Sequence, residues 1–380
     1  MLEKNTNALG IIFPNTYDKL VPELAGDRLI ASIPFAGRYR LIDFILSSMV
    51  NSGIDNISVL VRQRYHSLLD HLGSGRAWDL VRKNGGLNIF PPFAQDTINA
   101  SEGRIVPLEG ISVFLKDAKE KYVVISDANF AANFDFNDMI EKHIKSGADV
   151  TMAYTREAIP QALLDMEGIS KGLYFTYEMD GDRVTKMNVN PKTQGTVNLG
   201  LPVYVLEREL LIEKVNEAYV NGNIYFERDV LVPQAGSMNL QGYLFDGYVA
   251  SITSVKSFFD ESLKLLDDDN RDALFSPGQV FTKVRDDNPT RYISGAQASN
   301  VLVADGCVIE GIVEDSIIFR GVKIGKGAKV KNCVIMQDTV IGDGARLENV
   351  ITDKKAQIGV AKELRGSETF PVFVAKGQKV

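Results

Sequence analysis

Residues 311–351 read GIVEDSIIFRGVKIGKGAKVKNCVIMQDTVIGDGARLENVI, and this stretch repeats its own pattern. A small residue is followed by alternating apolar positions, an Asp or Asn and a pair of aliphatic residues. The dipeptide Ile-Gly recurs every 17 residues (324 to 341 to 358), at Ile324–Gly325, Ile341–Gly342 and Ile358–Gly359. Because this period is about three hexapeptides, it predicts one coil of a left-handed parallel β-helix, with β-branched residues inside and glycine at the tight corners.

An antiparallel β-sandwich with regular turns is the alternative for this repeat, although strict recurrence is unusual in sandwiches. The β-helix does not by itself select a function, since both acyltransferases and nucleotidyltransferases carry one. An acyltransferase would be expected to have a catalytic histidine in or beside the coils. The three histidines of the chain are His66, His71 and His143, far from the repeat, which argues against that function.

From Ala8 to about Tyr154, short apolar runs alternate with longer amphipathic stretches. This alternation predicts βαβ units, and hence a doubly wound, Rossmann-like α/β domain with a mixed, mainly parallel sheet. The predicted strands are Ala8–Phe13, Ile57–Val61, Tyr122–Ile125, Asp149–Ala153, Gly172–Tyr177, Val184–Val189 and Val197–Val205. The predicted helices are Tyr39–Val50, Tyr65–Leu72 and Glu207–Ala218.

A change of composition marks the boundary between the two folds. Residues Phe275–Tyr292 contain Pro277 and Pro289 and an Asp-Asp-Asn run, which is typical of a linker. We therefore predict an α/β domain over residues 1–275, a linker over 276–298 and a β-helix over 299–380.

The overall composition limits the classes of partner. The 380 residues are 45% hydrophobic and 24% charged, as in a soluble globular protein. The net charge of −7 argues against a general nucleic-acid or anionic-membrane surface, because such binding needs a concentrated positive field. Cys307 and Cys333 belong to no C-x-x-C pair, so we expect buried structural residues. Without a signal-like N-terminus or an apolar run near the ~20 residues that span a bilayer, a cytoplasmic location is expected.

Several motifs resemble those of one enzyme family. Arg38–Ser48, RYRLIDFILSS, and Val50–Ile54, VNSGI, resemble the K-F-R-I-I-D-F-x-L-S-N and I-N-S-G-I patterns of bacterial ADP-glucose pyrophosphorylases (glucose-1-phosphate adenylyltransferases). Arg62–His71 is similar to that family's Q-Y-Q-S-H-S-L-x-x-H, and Thr282–Thr290 resembles the run that enters its β-helix. The resemblance covers nearly the whole chain. It implies a sugar-nucleotidyltransferase domain that converts glucose 1-phosphate and ATP to ADP-glucose, the glucosyl donor for glycogen, and pyrophosphate.

That reaction requires backbone amides and cations around the triphosphate, and acidic residues that hold Mg²⁺ between the reacting groups. The family's glycine-rich loop, G-G-x-G-x-R-L, corresponds here to Phe13–Leu20, which contains no glycine. Pro14 lacks an N–H, and the Tyr17 side chain would crowd the backbone. The family's K-P pair falls on Ile30 and Ala31, so that a cation is lost as well. The phosphate-binding loop is therefore predicted to be lost.

In the family, two carboxylates hold the metal ion. Asp127 resembles the aspartate of the G-D-H motif; the alternative is an Asp that caps a strand end. The second carboxylate belongs to G-Y-W-R-D-V-G-T, which aligns with Gly247–Ser254 and places Ser251 at the aspartate. A neutral hydroxyl does not compensate the charge of Mg²⁺, so we expect no metal site in this chain and only a vestigial Asp127.

The sugar-phosphate contact is also altered. The family's lysine, in E-K-P, falls on Asn190. Lys192 would share its face only if the strand continued through Pro191, which is unfavourable. The adenine-loop pattern G-T-A-D-A has no convincing match in Glu102–Glu109. These losses all fall on loops that would face one cleft, whereas the structural segments remain.

Two arginines are candidates for a regulatory site. Arg38 and Arg40 lie in the retained motif, where a cation of the family is implicated in binding an anionic sugar-phosphate activator. A solvated or salt-bridged surface arginine is the alternative. His66 and His71 are five positions apart on one predicted helix, so they do not share a face for a metal site.

The pattern of losses matches the D-type subunits of this family, which have little activity alone and modulate a catalytic C-type partner in a mixed tetramer. The resemblance implies a regulatory subunit that itself requires no cofactor, with Mg²⁺ and ATP used by the partner. Two other functions stay open. One is a working adenylyltransferase in which Asp246, Lys19 or Lys192 replaces the lost ligands, and the other is a sugar-phosphate sensor.

Overall fold

The computed structural model describes residues 7–91, 103–166 and 172–380. The strands of the α/β domain are β1 (Ala8–Phe13), β2 (Pro34–Phe35), β3 (Tyr39–Arg40), β4 (Asn56–Leu60), β5 (Gly86–Phe90), β6 (Tyr122–Asp127), β7 (Phe130–Ala131), β8 (Val150–Ala158), β9 (Phe175–Asp180), β10 (Arg183–Val189), β11 (Thr196–Glu207), β12 (Leu240–Leu244) and β13 (Ala250–Ser251). Its helices are α1 (Pro22–Ala25), α2 (Leu41–Asn51), α3 (His66–Leu72), α4 (Ile105–Gly110), α5 (Ser112–Asp117), α6 (Phe136–Ser146), α7 (Gln161–Leu164), α8 (Arg208–Val220), α9 (Val232–Gln234), α10 (Val255–Lys264) and α11 (Asp268–Phe275).

A mixed nine-stranded sheet has the order β5-β4-β1-β6-β11-β8-β12-β10-β9. The strands β5, β4, β1 and β6 are parallel to one another, as are β8 and β12, whereas β11 is antiparallel to both of its neighbours β6 and β8. In the register of β1 and β6, Phe13 lies beside Asp127. The carboxyl ends of the two strands, where ligands bind in open α/β sheets, are therefore level with each other.

Most predicted elements are present. The bounds of β1 are those predicted, while β6 runs beyond the predicted Ile125 to Asp127, so that this aspartate is itself a strand residue. The prediction was wrong at the start of β9, which begins at Phe175 and not at Gly172. Gly172 has a φ of +145°, and the N–H of Tyr174 donates to the Asn190 side chain and not to a neighbouring strand.

The C-terminal strands form two parallel sheets of a left-handed β-helix. The strands are β14 (Arg291–Tyr292), β15 (Gln297–Val303), β16 (Val308–Ile309), β17 (Ile312–Ile318), β18 (Lys323–Ile324), β19 (Lys329–Lys331), β20 (Val334–Ile335), β21 (Val340–Ile341), β22 (Arg346–Glu348), β23 (Val350–Thr352), β24 (Gln357–Ile358), β25 (Glu363–Arg365) and β26 (Val372–Val374). One sheet stacks β14-β16-β18-β21-β24, and the other contains the remaining strands. The Ile-Gly repeats are in register, since Ile324, Ile341 and Ile358 pair in sequence with their side chains inside.

The corners of the coils explain the Asp or Asn of the repeat. Asp315, Asn332 and Asn349 have φ values of 46°, 51° and 54°, in the left-handed region that Asn and Asp tolerate better than other side chains. The Asn332 amide donates to Asn349 in the next coil, and the Asn349 amide donates to the Gly366 carbonyl at 3.1 Å. The asparagine side chains at these corners are thus hydrogen-bonded from one coil to the next.

The segment between the folds is shorter than predicted. Residues 276–290 form neither helix nor strand, and Phe281 N–H donates to Ser47 Oγ at 2.9 Å. However, β14 and β15 both begin inside the range 276–298 that was predicted as a linker. They pair in parallel with β16 and β17, so residues 291–298 already belong to the coils. The Ile-Gly signal is missing from this first coil, and so the sequence placed the start too late.

The two folds share one apolar core. Phe35 and Phe258 of the α/β domain pack with Ile317, Phe319 and Met336 of the β-helix, and all five side chains are fully buried. Because apolar surface of both folds is buried in a single cluster, their relative orientation is fixed by packing.

Cys307 and Cys333 are buried free thiols, as expected. None of the helices in the described residues combines the length and the apolar character needed to span a bilayer.

Candidate functional site

A cavity of about 290 Å³ opens where β1 and β6 end. Its walls include Thr16, Tyr17, Arg62, Arg104, Tyr204 and Glu227. The location is the one that the parallel strands predict for a ligand.

The loop after β1 is hydrogen-bonded to other segments of the α/β domain. Pro14 is buried, and its carbonyl accepts from the N–H of Ala31 at 3.2 Å. The Tyr17 side chain lies in the cavity wall, and its hydroxyl donates to the Leu173 carbonyl at 2.7 Å. Burial raises the pKa of Tyr17, so the phenol stays neutral.

The positions of the family's K-P pair face the protein interior. Ile30 and Ala31 are both fully buried, in a short 3₁₀-helix over Ile30–Ser32. The Ile30 N–H donates to Asp18 Oδ1 at 2.7 Å. Burial raises the pKa of Asp18 to about 7. Both positions of the pair are thus closed to solvent in this chain.

Asp127, the retained acidic residue, is neutralised from within the protein. It is the last residue of β6, and its side chain is 1% exposed. Arg104 Nη2 lies 2.7 Å from Asp127 Oδ1, and the Thr16 hydroxyl donates to the same oxygen at 3.0 Å. Burial raises the pKa of Asp127 to about 6, although the Arg104 guanidinium opposes this shift. Asp127 is thus held in a buried ion pair, and its vestigial family role stays a prediction.

A second carboxylate shares this arginine. Arg104 Nη1 contacts Glu227 Oε1, and the guanidinium packs on the rings of Phe13 and Tyr204, 5.1 and 5.3 Å from their centroids. Glu227 lies in a π-helical turn over Phe226–Leu231. Such widened turns often occur at functional sites.

Sequence reasoning missed both Arg104 and Glu227. Arg104 lies in the Glu102–Glu109 stretch, where the sequence showed only that an adenine-loop motif is lacking; residue 102 lies outside the described residues. Glu227 stands in a charged Glu-Arg-Asp run that reads as a solvated surface. No local pattern links two residues that are 123 positions apart.

The arrangement does not fit the metal ion that the family uses. Ser251, at the second acidic position, pairs with Phe130 in the small β13–β7 sheet. Within the described parts of the chain, no group of three or more His, Cys, Asp or Glu is placed to ligate a metal. Mg²⁺ prefers several oxygen ligands in octahedral geometry, whereas Asp127 already contacts a cation and is closed to solvent.

The residues proposed for the sugar phosphate have structural roles. Asn190 has a φ of +46°, and its side-chain oxygen accepts from Tyr174 N–H at 2.8 Å. Lys192 Nζ donates to the Met166 carbonyl at 3.0 Å. Of the other proposed substitutes, Lys19 lines the cavity and Asp246 is an exposed residue outside it.

A second cavity, of about 250 Å³, lies between the two folds. Cations from three regions line it: Arg38 and Arg40 of the α/β domain, Lys283 and Arg285 of the connecting segment, and Arg320 and Lys354 of the β-helix. The acidic side chains in its wall are Asp70 and Asp338, and His71 and Gln337 complete it. We call it the interdomain cleft.

The interdomain cleft is strongly positive, and burial lowers the pKa of two of its basic side chains, Arg40 and Lys354. Arg40 donates to the Ser67 carbonyl at 2.6 Å, and its pKa falls to about 10 because it is buried. The pKa of Lys354 falls to about 7, mainly through burial and then through the nearby Arg40 and Arg28. A buried amine with this pKa gains a proton readily when an anion approaches.

The roles of Arg38 and Arg40 in anion binding stay a prediction, but the structure places four further cations beside them. Arg38 is exposed, with its guanidinium 5.6 Å from the Tyr39 ring centroid.

The histidines do not form a metal site: His66 is exposed, His71 Nε2 is 2.6 Å from Asp43 Oδ1, and His143 contacts Thr151.

Comparisons with known proteins agree with both folds. The nucleotidyl transferase family matches residues 24–234, and a GlmU-like, C-terminal hexapeptide family matches residues 283–365. The glycogen biosynthesis protein GlgD of Geobacillus stearothermophilus is 38% identical over 331 residues, which are 86% of this chain and 83% of that protein. The chain belongs to the family of GlgD proteins and glucose-1-phosphate adenylyltransferases.

Other members of the GlgD and adenylyltransferase family match over similar lengths. GlgD of Bacillus subtilis (strain 168) is 33% identical over 374 residues, 98% of this chain and 97% of that protein. Glucose-1-phosphate adenylyltransferase of Geobacillus stearothermophilus is 32% identical over 306 residues, 79% of this chain and 77% of that protein. The α/β domain of this chain therefore belongs to the nucleotidyl transferase family.

Proposed function

We propose that this chain is a regulatory, catalytically weak or inactive subunit of glucose-1-phosphate adenylyltransferase that acts on a catalytic C-type partner in glycogen biosynthesis. The names of the GlgD relatives support the biosynthetic role. In this proposal the two chains form a hetero-oligomer, a tetramer, in the cytoplasm. The chain needs no cofactor, and the partner uses Mg²⁺ and ATP.

One observation carries the inactivity. Asp127, the carboxylate that would hold a metal, is 1% exposed and paired with Arg104. In-line attack at the α-phosphorus needs charge compensation between the reacting groups. A guanidinium already paired with Asp127 and Glu227 has little charge left for a triphosphate, since two carboxylates face one cation.

The interdomain cleft supplies the regulatory half of the proposal. Six basic side chains facing two carboxylates favour an anion, and a sugar phosphate is the class expected. The cleft is lined by both folds, so an anion that bridges them would bind one relative arrangement better than another. Such differential binding is what a regulatory ligand requires.

The test is ADP-glucose formation from ATP, Mg²⁺ and glucose 1-phosphate by this chain alone, by the C-type partner alone and by their mixture. We expect no turnover above background by this chain and altered substrate or effector affinity in the mixture. Turnover by this chain alone would overturn the proposal. Unchanged partner kinetics in a mixture that forms a complex would remove the regulatory role.

An active enzyme with substitute ligands is the weaker candidate. Its phosphate lysine would be Lys192, which donates to backbone carbonyls of the segment 164–166. Its second acid would be Asp246, which does not line the cavity. Of its three proposed substitutes, Lys19 lines the cavity, whereas Lys192 and Asp246 do not.

A further inference from the structure

We propose that Arg104 is a resident cation which occupies the position of a divalent metal, and that replacing it with a neutral residue turns Asp127 and Glu227 into a divalent-cation site. This deepens the proposed function, on which it rests for the absence of turnover, by naming what fills the cleft. In this proposal the chain lacks a bound metal for two reasons: ligands are missing, and the Arg104 guanidinium occupies the metal position.

The first support is the contact geometry. One guanidinium reaches two carboxylates from different elements: Nη2 lies 2.7 Å from Asp127 Oδ1, and Nη1 contacts Glu227 Oε1. Their side chains are 1% and 7% exposed, and that of Arg104 is 5% exposed. The planar fork of arginine suits such bridging better than a lysine would. The two carboxylates are thus already gathered around one positive centre.

The second support is that the backbone holds Arg104 in place. A Cβ on Gly103 would lie 1.9 Å from the Ile224 carbonyl oxygen, and that oxygen accepts from Ile105 N–H at 3.2 Å. Residues 103–105 therefore run against the turn that leads to Glu227. The Arg62 side chain donates to the Gly103 carbonyl from the other side. Arg104 is therefore held in position by its own backbone and by the two aromatic rings.

The third support is mutual exclusion. A bound Mg²⁺ would lie about 2.0–2.1 Å from a carboxylate oxygen, whereas a guanidinium nitrogen already lies 2.7 Å from Asp127 Oδ1. Two cations that close, in a site closed to water, repel each other strongly. The other oxygen, Asp127 Oδ2, is buried and has no hydrogen-bond partner among the described residues. A metal held between Asp127 Oδ1 and Glu227 would therefore have to displace Arg104.

The last step is a charge balance. Two carboxylates and one guanidinium leave one negative charge uncompensated in the cluster. Without the guanidinium the site would hold two negative charges and a space left by the side chain, which water can enter. Paired carboxylates with water are the ligands that Mg²⁺ and Mn²⁺ accept.

The experiment measures Mn²⁺ binding to the full chain by electron paramagnetic resonance of the free ion, without substrates. The proteins compared are wild type, Arg104→Gln, Asp127→Asn, the double variant of these two, and the matched control Arg64→Gln. Arg64 lines the same cavity and donates to the Gly26 carbonyl. We expect Arg104→Gln to bind one Mn²⁺ at least tenfold tighter than wild type. The added Asp127→Asn should abolish the gain, and Arg64→Gln should behave like wild type.

Two outcomes would overturn the inference. One is a folded Arg104→Gln that binds Mn²⁺ no better than wild type. The other is wild-type binding that Asp127→Asn removes, which would mean that metal and Arg104 coexist. This second measurement tests the mutual exclusion of metal and Arg104 even if Arg104→Gln does not fold. ADP-glucose formation is not a readout here, so turnover by the wild type would sink the proposed function without deciding the metal question.

Discussion

The two cavities both contain arginines of the α/β domain, but the arginines have different counterions. In the cavity at the end of β6, Arg104 faces Asp127 and Glu227 and is almost closed to solvent. In the interdomain cleft, Arg38 is exposed and six cations face two carboxylates. Charge that is compensated internally stabilises the fold. In the cleft Lys283 pairs with Asp70 and Arg285 with Asp287, and the cations in excess of these pairs are available for a ligand. The same residue type thus serves structure in one place and binding in the other.

The largest expected effect is on stability, and it separates the cavities. Arg104→Gln leaves two buried carboxylates without a cation, and breaking a buried ion pair costs about 3–5 kcal/mol of unfolding free energy. Arg38→Gln removes an exposed guanidinium and should cost less than about 1 kcal/mol. Urea unfolding of both variants at pH 7.5 measures the difference. Equal losses would erase the distinction between the two arginines.

Anion binding should show the reverse order. Arg38→Gln removes one charged donor at an exposed position, so affinity for a probe such as fructose 1,6-bisphosphate should fall roughly three- to tenfold. Arg104→Gln, if folded, should leave that affinity unchanged because the guanidinium is not in the wall of the interdomain cleft. Isothermal titration calorimetry gives both constants. A larger loss of affinity in Arg104→Gln than in Arg38→Gln would instead place the anion in the cavity at the end of β6.

The smallest effect concerns pH in the interdomain cleft. Burial lowers the pKa of Lys354 from its ordinary value near 10.5 to about 7, so the empty native protein sheds this proton as pH rises through 7. Between pH 7 and 10.5 the unfolded chain keeps a proton that the native chain has lost, and stability therefore rises with pH from this group. A bound anion raises the pKa again, so its binding should take up protons at pH 8 and weaken above pH 7.

Titration in two buffers of different ionisation enthalpy measures this proton uptake. Arg40, His71, Asp70 and Asp338 face the same space and also affect the pH profile, so the informative comparison is with Lys354→Met. That variant should lose most of the uptake near pH 8. Equal uptake in the variant and the wild type would assign the proton to another group.

The sequence predicted those parts of the fold and site that repeat or follow a motif. The Ile-Gly period located the coils from Ile324 onward. The assignment of Ser251 to a lost acidic position, from the motif around Gly247–Ser254, stays a prediction. Arg104 and Glu227 could not be predicted, since their meeting depends on how residues 103–105 pack against Ile224.

The interdomain cleft was predictable only in part, through Arg38 and Arg40. Arg320 and Lys354 lie in separate coils of the β-helix, and Lys283 is in the connecting segment. They converge because the shared apolar core fixes the angle between the folds. No local pattern in the sequence encodes that angle.

The shared apolar core also bears on how such a protein can evolve. Phe258 and Phe35 share one apolar cluster with Ile317 and Phe319, so each fold presents an apolar face to the other beside the charged interdomain cleft. A recombination event that joined this α/β domain to a foreign β-helix would need a matching apolar face as well as a suitable linker. Residues on both sides of the junction would have to be replaced together to keep this core densely packed.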